Sequence, residues 1–574
     1  MIGSRFLRSA SLFWLLAVSA LAAPVARREE FRRTFQKTLP LSAGQTLQVD
    51  HSHGDLRIRT HGEPQVKIDA TIRVSSSDEA GAQKFSNDIE VTAEPTSGGV
   101  IIRTRYPEKS WVLRGVGHIS YSVDYDIVMP EAALLSARNR FGDVSITGLK
   151  AATDVRNSNG AVAVRDGRGP QKLENSFGNI DLIGHSGDAV LANSNGSVTV
   201  INLQGKLDAR NRFGKVAASK VSGRSDINNS NGAVSLENSG PAAVTNSFGS
   251  VMLRAIDGDL TVRNSNGSVD VSGVSGTADI NTSFGNIQVS DMRKRVTCTG
   301  SNARVTAARI AEGVTIRNTF GTVDVRETGA TNVENSNGKI IAREIRGPAQ
   351  LTTSFGAIDA MGIGGDATLV NSNAPITAIK VGGSATVENR FGKVFLSHIQ
   401  GSVRVTTDNS TVTVADVGGP AFVKTSFGLL EASRVQGNLT AENNNGGVKA
   451  LDVQGVVSVR TSFGPVIVQN VREGIEVNNQ NGSVEVSGLS GGRCQRVVLR
   501  TSFAPIRVHI PDGAGYDVTA RTSYGKVNTQ VPLDVSGELS SENLRARIGK
   551  GKCELSLTNN NGNIDLMSAP STRS

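Results

Sequence analysis

Residues 157–180 read NSNGAVAVRDGRGPQKLENSFGNI, and one phrase stands in them twice, as Asn-Ser-Asn-Gly at 157–160 and as Asn-Ser-Phe-Gly at 175–178. The step between the two copies recurs along the chain. The Phe form returns at Phe141, Phe177, Phe213, Phe248, Phe284, Phe320, Phe355, Phe391, Phe427 and Phe463, and the Asn form stands between, at Asn159, Asn195, Asn231 and Asn266. A second glycine column follows the first by half a step, at Gly169, Gly187, Gly205 and Gly223. Self-similarity at a fixed short period marks a repeat architecture in which each unit buries its apolar face against the next. Within each half-unit apolar and polar residues alternate with period two, the pattern of a strand with one buried face. Glycine at the joints supplies the backbone freedom of a sharp corner. Two strands and two corners per unit predict an all-β fold, a parallel β-solenoid of about 18 residues per coil, with coils ~4.8 Å apart. Parallel crossovers are overwhelmingly right-handed, so a right-handed β-helix is expected, and two halves of nine fit the spacing better than three sixes.

Three columns follow from this register. The apolar column Val155, Leu173, Leu191, Ala209, Ile227 and Val244 is core, and Cys298 falls within it as a small buried hydrophobe. Two residues on, with the same parity, stand Asn157, Asn175, Asn193, Asn211, Asn229, Asn246 and Asn264. A polar residue facing inward must be satisfied, so these read as a structural ladder bonded to copies above and below and to corner backbone groups. The third column alternates Asn159, Phe177, Asn195 and Phe213. Its parity also points inward, where a ring at every coil would overpack a ~4.8 Å layer and alternation would relieve the crowding. Facing outward, the same letters would draw a line of aromatics ~9.6 Å apart, suited to sugars or to a partner protein. Parity favours packing.

The ends depart from the rhythm. Arg5 and Arg8 precede an apolar run that closes on Ala20-Leu21-Ala22, so residues 1–22 read as a secretory signal peptide. No later stretch is long and apolar enough to span a membrane. Residues 23–138 read as a strand-rich N-terminal cap with a first coil at His51–Arg59 and a short helix after Ser76. Residues 139–504 are the regular coils, 505–566 irregular coils and a C-terminal cap, and 567–574 a disordered tail. The three cysteines, Cys298, Cys494 and Cys553, are too few for a disulfide framework. A Cys494–Cys553 bridge stays open, although the register sets the two more than one coil apart, beyond the usual bridging reach. The net charge of +9 is spread along 574 residues, as on a solvated face rather than a nucleic-acid footprint.

The opening TFQKTLPLSAGQTLQVDHSHGDLRI, the Asn-Ser-Asn-Gly and Thr-Ser-Phe-Gly phrases, and the closing RTSYGKVNTQVPLDVSGELSSENLRARIGKGKCELSLTNNNGNIDL resemble the adhesin-like bacterial family of exported β-solenoid domains of unknown function. That resemblance covers most of the mature chain. It implies an exported or cell-surface solenoid and brings no catalytic residues.

Nothing in the register assembles a reaction centre. The acids are scattered; Asp257 with Asp259 and Asp124 with Asp126 are alternate-position pairs common on solvated strand faces. His51 and His53 share a strand face, with His61 nearby, but no further clear ligand accompanies them. No Ser-His-Asp set is brought together, and no cofactor or metal is expected. The one break in the columns, Met292–Ala311, loses its glycine corner and gathers basic residues, which makes Arg293, Lys294 and Arg295 a candidate anion contact. The expected function is that of an exported, non-enzymatic scaffold, periplasmic, cell-surface or extracellular, for adhesion or protein interaction with a surface glycan or protein. The alternative is a carbohydrate-binding or polysaccharide-active β-helix.

Overall fold

The alternating runs fold as strands that stack coil on coil. The computed structural model describes residues 29–107 and 119–569, so the proposed leader at 1–22 and residues 570–574 of the proposed tail lie outside the described residues. Met567 and Ser568, also placed in that tail by the sequence, instead complete the strand Ile564–Ser568. The chain divides into two compact units, Met1–Val144 and Ser145–Ser574.

The second unit is a parallel β-solenoid of about 18 residues per coil. Strand Thr153–Asn159 pairs in parallel with Gln171–Phe177, placing Val155 against Leu173, Asn157 against Asn175 and Asn159 against Phe177. Val162–Arg165 pairs likewise with Ile180–Ser186. The inward columns are fully buried, Val155, Leu173 and Leu191 among them. Cys298 lies in the same column, and burial pushes its thiol up to about 12.

Each coil bends at three places rather than two. In Val198–Gln204 the buried residues are Val198, Val200 and Leu203, with Ile201 and Asn202 both outside. Two successive outward residues break the period of two, and Asn202 makes the bend with φ +56. The same left-handed position recurs in coil after coil, at Asp166, Lys220, Ala255, Arg309, His398 and Arg434, with glycine at Gly184, Gly273 and Gly362. The halves-of-nine reading missed this corner because side chains of many kinds occupy it.

The C-terminal coils are stacked out of sequence order. Strand Val497–Arg500 pairs not with the next strand of its kind, Tyr516–Arg521, but with Cys553–Thr558, which in turn pairs with Tyr516–Arg521. Ile506–Ile510 and Val527–Thr529 flank Ile564–Ser568 in the same way. The last coil of the chain is thus inserted between two earlier ones. The stack then ends in antiparallel strands, with Asn543–Ile548 on Tyr516–Arg521 and Asp534–Leu539 on Asn543–Ile548. Antiparallel closure of this kind occupies an edge that would otherwise template further pairing.

This insertion places Cys494 beside Cys553, and the two form a disulfide with a Cα–Cα separation of 5.3 Å. The expectation that they lie too far apart is corrected. It assumed that coils stack in chain order, whereas the coil of Tyr516–Arg521 and Val527–Thr529, which lies between them in sequence, sits on the far side of the inserted one.

The first unit holds β1 (Glu29–Pro40), β2 (Thr46–Asp50), β3 (Leu56–His61), β4 (Gln65–Ser76), α1 (Glu79–Asp88), β5 (Glu90–Thr96), β6 (Gly99–Arg105), β7 (Ser120–Pro130) and β8 (Leu134–Phe141). The Asp78 carboxylate caps α1 by accepting from the Gly81 N–H at 3.2 Å. Here too an early coil is enclosed by later chain, since β2 pairs in parallel with both β6 and β8, and β3 with β7. Antiparallel β5 on β6, and β1 on β4 on β7, finish this unit. Among the described residues no helix is long and apolar enough to cross a membrane.

Candidate functional site

The Asn column is buried and tied to the corners. Asn246 donates its Nδ2 to the carbonyl of Gly232 in the preceding coil (3.2 Å) and to Gly249 in its own (3.1 Å). Asn211 and Asn264 make the same pair of bonds, and Asn175 and Asn193 bond the preceding corner at 2.9 and 3.0 Å. Asn157 and Asn229 bond the carbonyl of their own corner glycine. Thr353 and Thr461 stand in for Asn elsewhere, each using Oγ1 on the preceding corner carbonyl. These bonds run to backbone, so Asn175, Asn193, Asn211, Asn246 and Asn264 lace one corner to the next; the expected amide-to-amide bonding between copies is corrected, since the buried Oδ1 atoms of these residues meet no donor.

The alternating third column does not pack inward. Phe177 is 56% exposed, Phe213 44% and Phe355 65%, and Phe248, Phe284 and Phe320 are similarly open. The inward parity stops at Asn175, because the chain has begun to turn before Phe177. Gly178, at φ +122, makes that turn with a space only 2.2 Å from the Gly160 carbonyl, where no Cβ fits. The packing reading is therefore overturned, and Phe177, Phe213, Phe248, Phe284, Phe320 and Phe355 form an exposed edge of the second unit. Asn residues stand between them. Asn195, Asn373 and Asn481 donate Nδ2 to the carbonyls of Ser176, Ser354 and Ser462 in the coil below, at 3.2–3.3 Å.

The alternation survives where the coil order is broken. In sequence Phe503 is followed by Tyr524, two aromatics in succession. In space Asn561 stands between them, since Arg500 aligns with Thr558 and Thr558 with Arg521. The edge therefore reads Phe463, Asn481, Phe503, Asn561, Tyr524. Phe141 belongs to the first unit, where its ring stacks on His53 at 5.0 Å, with Tyr106 against the same imidazole at 5.1 Å.

The histidines do not gather as a metal site. His51 Nδ1 meets the Thr104 hydroxyl at 3.2 Å, whereas His61 Nδ1 accepts the Glu63 N–H at 2.9 Å. Burial, aided by the neighbouring His53, pushes His51 down to about 4. Among the described residues no three His, Cys, Asp or Glu side chains converge. The paired acids are engaged elsewhere: Asp126 takes Arg59, Asp124 takes Arg73 and the Asp55 N–H, and Asp259 takes the Thr277 N–H and hydroxyl. Asp257 accepts from Ser275.

Arg293, Lys294 and Arg295 are exposed on the corner between Ile287–Met292 and Val296–Asn302. Arg309, from the same basic run, is neutralised by Asp291 through two bonds of 2.7 and 2.8 Å. A hollow of about 340 Å³ beside Arg295 also takes Glu312 and Asp366, so its charge is mixed.

A longer groove of about 890 Å³ follows the left-handed corner past Lys380, His398, Gln400, Asp416, Arg434 and Gln436. Here the register does bring Ser397, His398 and Asp416 together, contrary to expectation. Ser397 Oγ lies 2.7 Å from His398 Nδ1 and 3.5 Å from Asp416, and that carboxylate is 3.8 Å from the same ring nitrogen. A nucleophile relay needs serine and carboxylate on opposite nitrogens of the ring. Both sit at Nδ1, and Ser397 is buried, so the arrangement braces the corner rather than activating a hydroxyl.

No protein-family model and no curated protein matches the chain. A search of solved structures returns a "putative cell adhesion protein" from Clostridium sporogenes, at 9% identity and a TM-score of 0.16, covering 39% of this chain and 99% of that one. A superposition that weak carries no argument about function.

Proposed function

We propose that the chain is an exported, non-enzymatic scaffold that binds through its aromatic and amide edge. The observation that carries this reading is the row of half-exposed rings, one every second coil. A soluble protein rarely leaves so much apolar surface in line unless something meets it. Nothing in the core requires the rings outside, since smaller residues would complete the same corners. The leader-like N-terminus supports export, as does the Cys494–Cys553 bridge, because structural disulfides persist in oxidising compartments.

The test is adhesion of beads carrying the mature chain to bacterial envelopes and to a glycan array. Replacing Phe284, Phe320, Phe355 and Phe391 with Ser should abolish capture and leave circular dichroism unchanged; undiminished capture would refute the edge. A second reading rests on the groove at Lys380 and Arg434, whose charged and amide rim suits a polysaccharide. In that case Lys380→Ala with Gln400→Ala would abolish glycan capture and the Phe series would not.

A further inference from the structure

The edge constrains its partner by period and by area. From Asn159 to Tyr524, in spatial order, the second unit presents eleven Asn and eleven aromatic residues in strict alternation. Each Phe of the row is 44–65% exposed. With 150–250 Å² per aromatic side chain, on the order of 100 Å² of each stays in water, and the row offers on the order of 1,000 Å². That matches the ~800 Å² per partner of a stable protein interface.

A ligand whose repeat differs slightly from ~9.6 Å loses step after a few coils. A second copy of this chain has the same repeat by construction and keeps step to the end. The row also begins on Asn159 and ends on Tyr524. Laid antiparallel at full overlap, two copies therefore set every aromatic against an Asn, with the two-fold axis between Asn337 and Phe355. A parallel arrangement in register would instead set ring on ring at every second coil. Asn195, Asn231, Asn266, Asn373 and Asn481 are each anchored by an Nδ2 bond to a carbonyl of the coil below, and an amide N–H is a suitable partner for a ring face.

From this, resting on the edge being a binding surface, we propose that its partner is a second copy of the same chain, joined antiparallel with Phe over Asn. The contact is isologous and closed. It is also the geometry by which copies projecting from two facing surfaces would grip each other.

Sedimentation equilibrium on the mature full-length chain should find a dimer, and beads coated with it should clump without any other component. The fourfold Ser variant at Phe284, Phe320, Phe355 and Phe391 should be a folded monomer, its self-affinity lowered roughly a hundredfold or more, and its beads should stay dispersed. Register is read by oxidation of single-cysteine variants. Asn337→Cys, beside the axis, should form a disulfide-linked dimer, whereas Asn445→Cys, whose copy lies far along the partner, should not. Equal cross-linking of both would overturn the antiparallel register. A wild type that stays monomeric and dispersed would overturn the proposal. If that monomer still captured envelopes or a glycan through the same rings, the edge would stand as a binding site for another partner.

Discussion

Ala255 occupies the left-handed corner with φ +52 and its side chain in solvent, while Gly273, one coil on, meets the same geometry without a Cβ. An L-residue pays roughly 1–2 kcal/mol there, partly offset by the unfolded-state entropy that glycine adds. Ala255→Gly should therefore raise stability by about 1 kcal/mol and Gly273→Ala lower it by a similar amount, read as a shift in denaturation midpoint. His51 gives a pH dependence. Its folded pKa is about 4 against an ordinary 6.5, so between those values the unfolded chain binds more protons. The stability it contributes is complete above about pH 6.5 and is lost as pH falls toward 4, on the order of 3 kcal/mol in all. Hydrogen exchange in β2 and β6 should accelerate over that window, and His51→Asn, the residue used in later coils, should flatten the response.

At the level of the strand and its corner, the Asn column carries the lacing. Asn246→Ala takes one of two amide donors from each of the Gly232 and Gly249 carbonyls, which keep those of Asn229 and Asn264, and should cost about 1–2 kcal/mol, whereas Asn246→Thr keeps one bond, as Thr353 does, and should cost about half as much. Local hydrogen-exchange protection at Val244 and Val262 would report both. The strands were legible in the sequence because a one-sided strand writes its parity into alternate residues, as in Val155, Asn157 and the residues between. Parity was also what misled. It fixes direction only while the strand continues, and at Phe177 the chain has already turned toward Gly178. The left-handed corner was hidden for the converse reason: its requirement falls on the backbone, and Lys220, Ala255 and Arg309 all meet it, so no residue type marks the column.

Across the whole molecule the stacking order of the coils was the feature that sequence spacing could not supply. Distance along a repeat converts to distance in space only if each coil follows its predecessor, and Cys494 with Cys553 shows the conversion failing. The alternation of Phe503, Asn561 and Tyr524 was the available signal, since two aromatics in succession announced a coil missing between them. The bridge closes a loop with a sequence separation of 59, for which chain entropy gives about 4 kcal/mol. Reduction, or Cys494→Ser, should therefore let a protease clip the segment from Tyr516 to Ser568 while the regular coils resist, with mass spectrometry of the fragments as the readout.

The inserted coil also sets a timetable. Synthesis runs from the N-terminus, so Tyr516–Arg521 exists well before the strand that will separate it from Val497–Arg500. Until Cys553–Ser568 emerges, the hairpin beyond must either wait or stack one place too early and later withdraw. Residues 553–568 act as a keystone: a chain truncated before Cys553 loses a middle course of the stack rather than its outermost one.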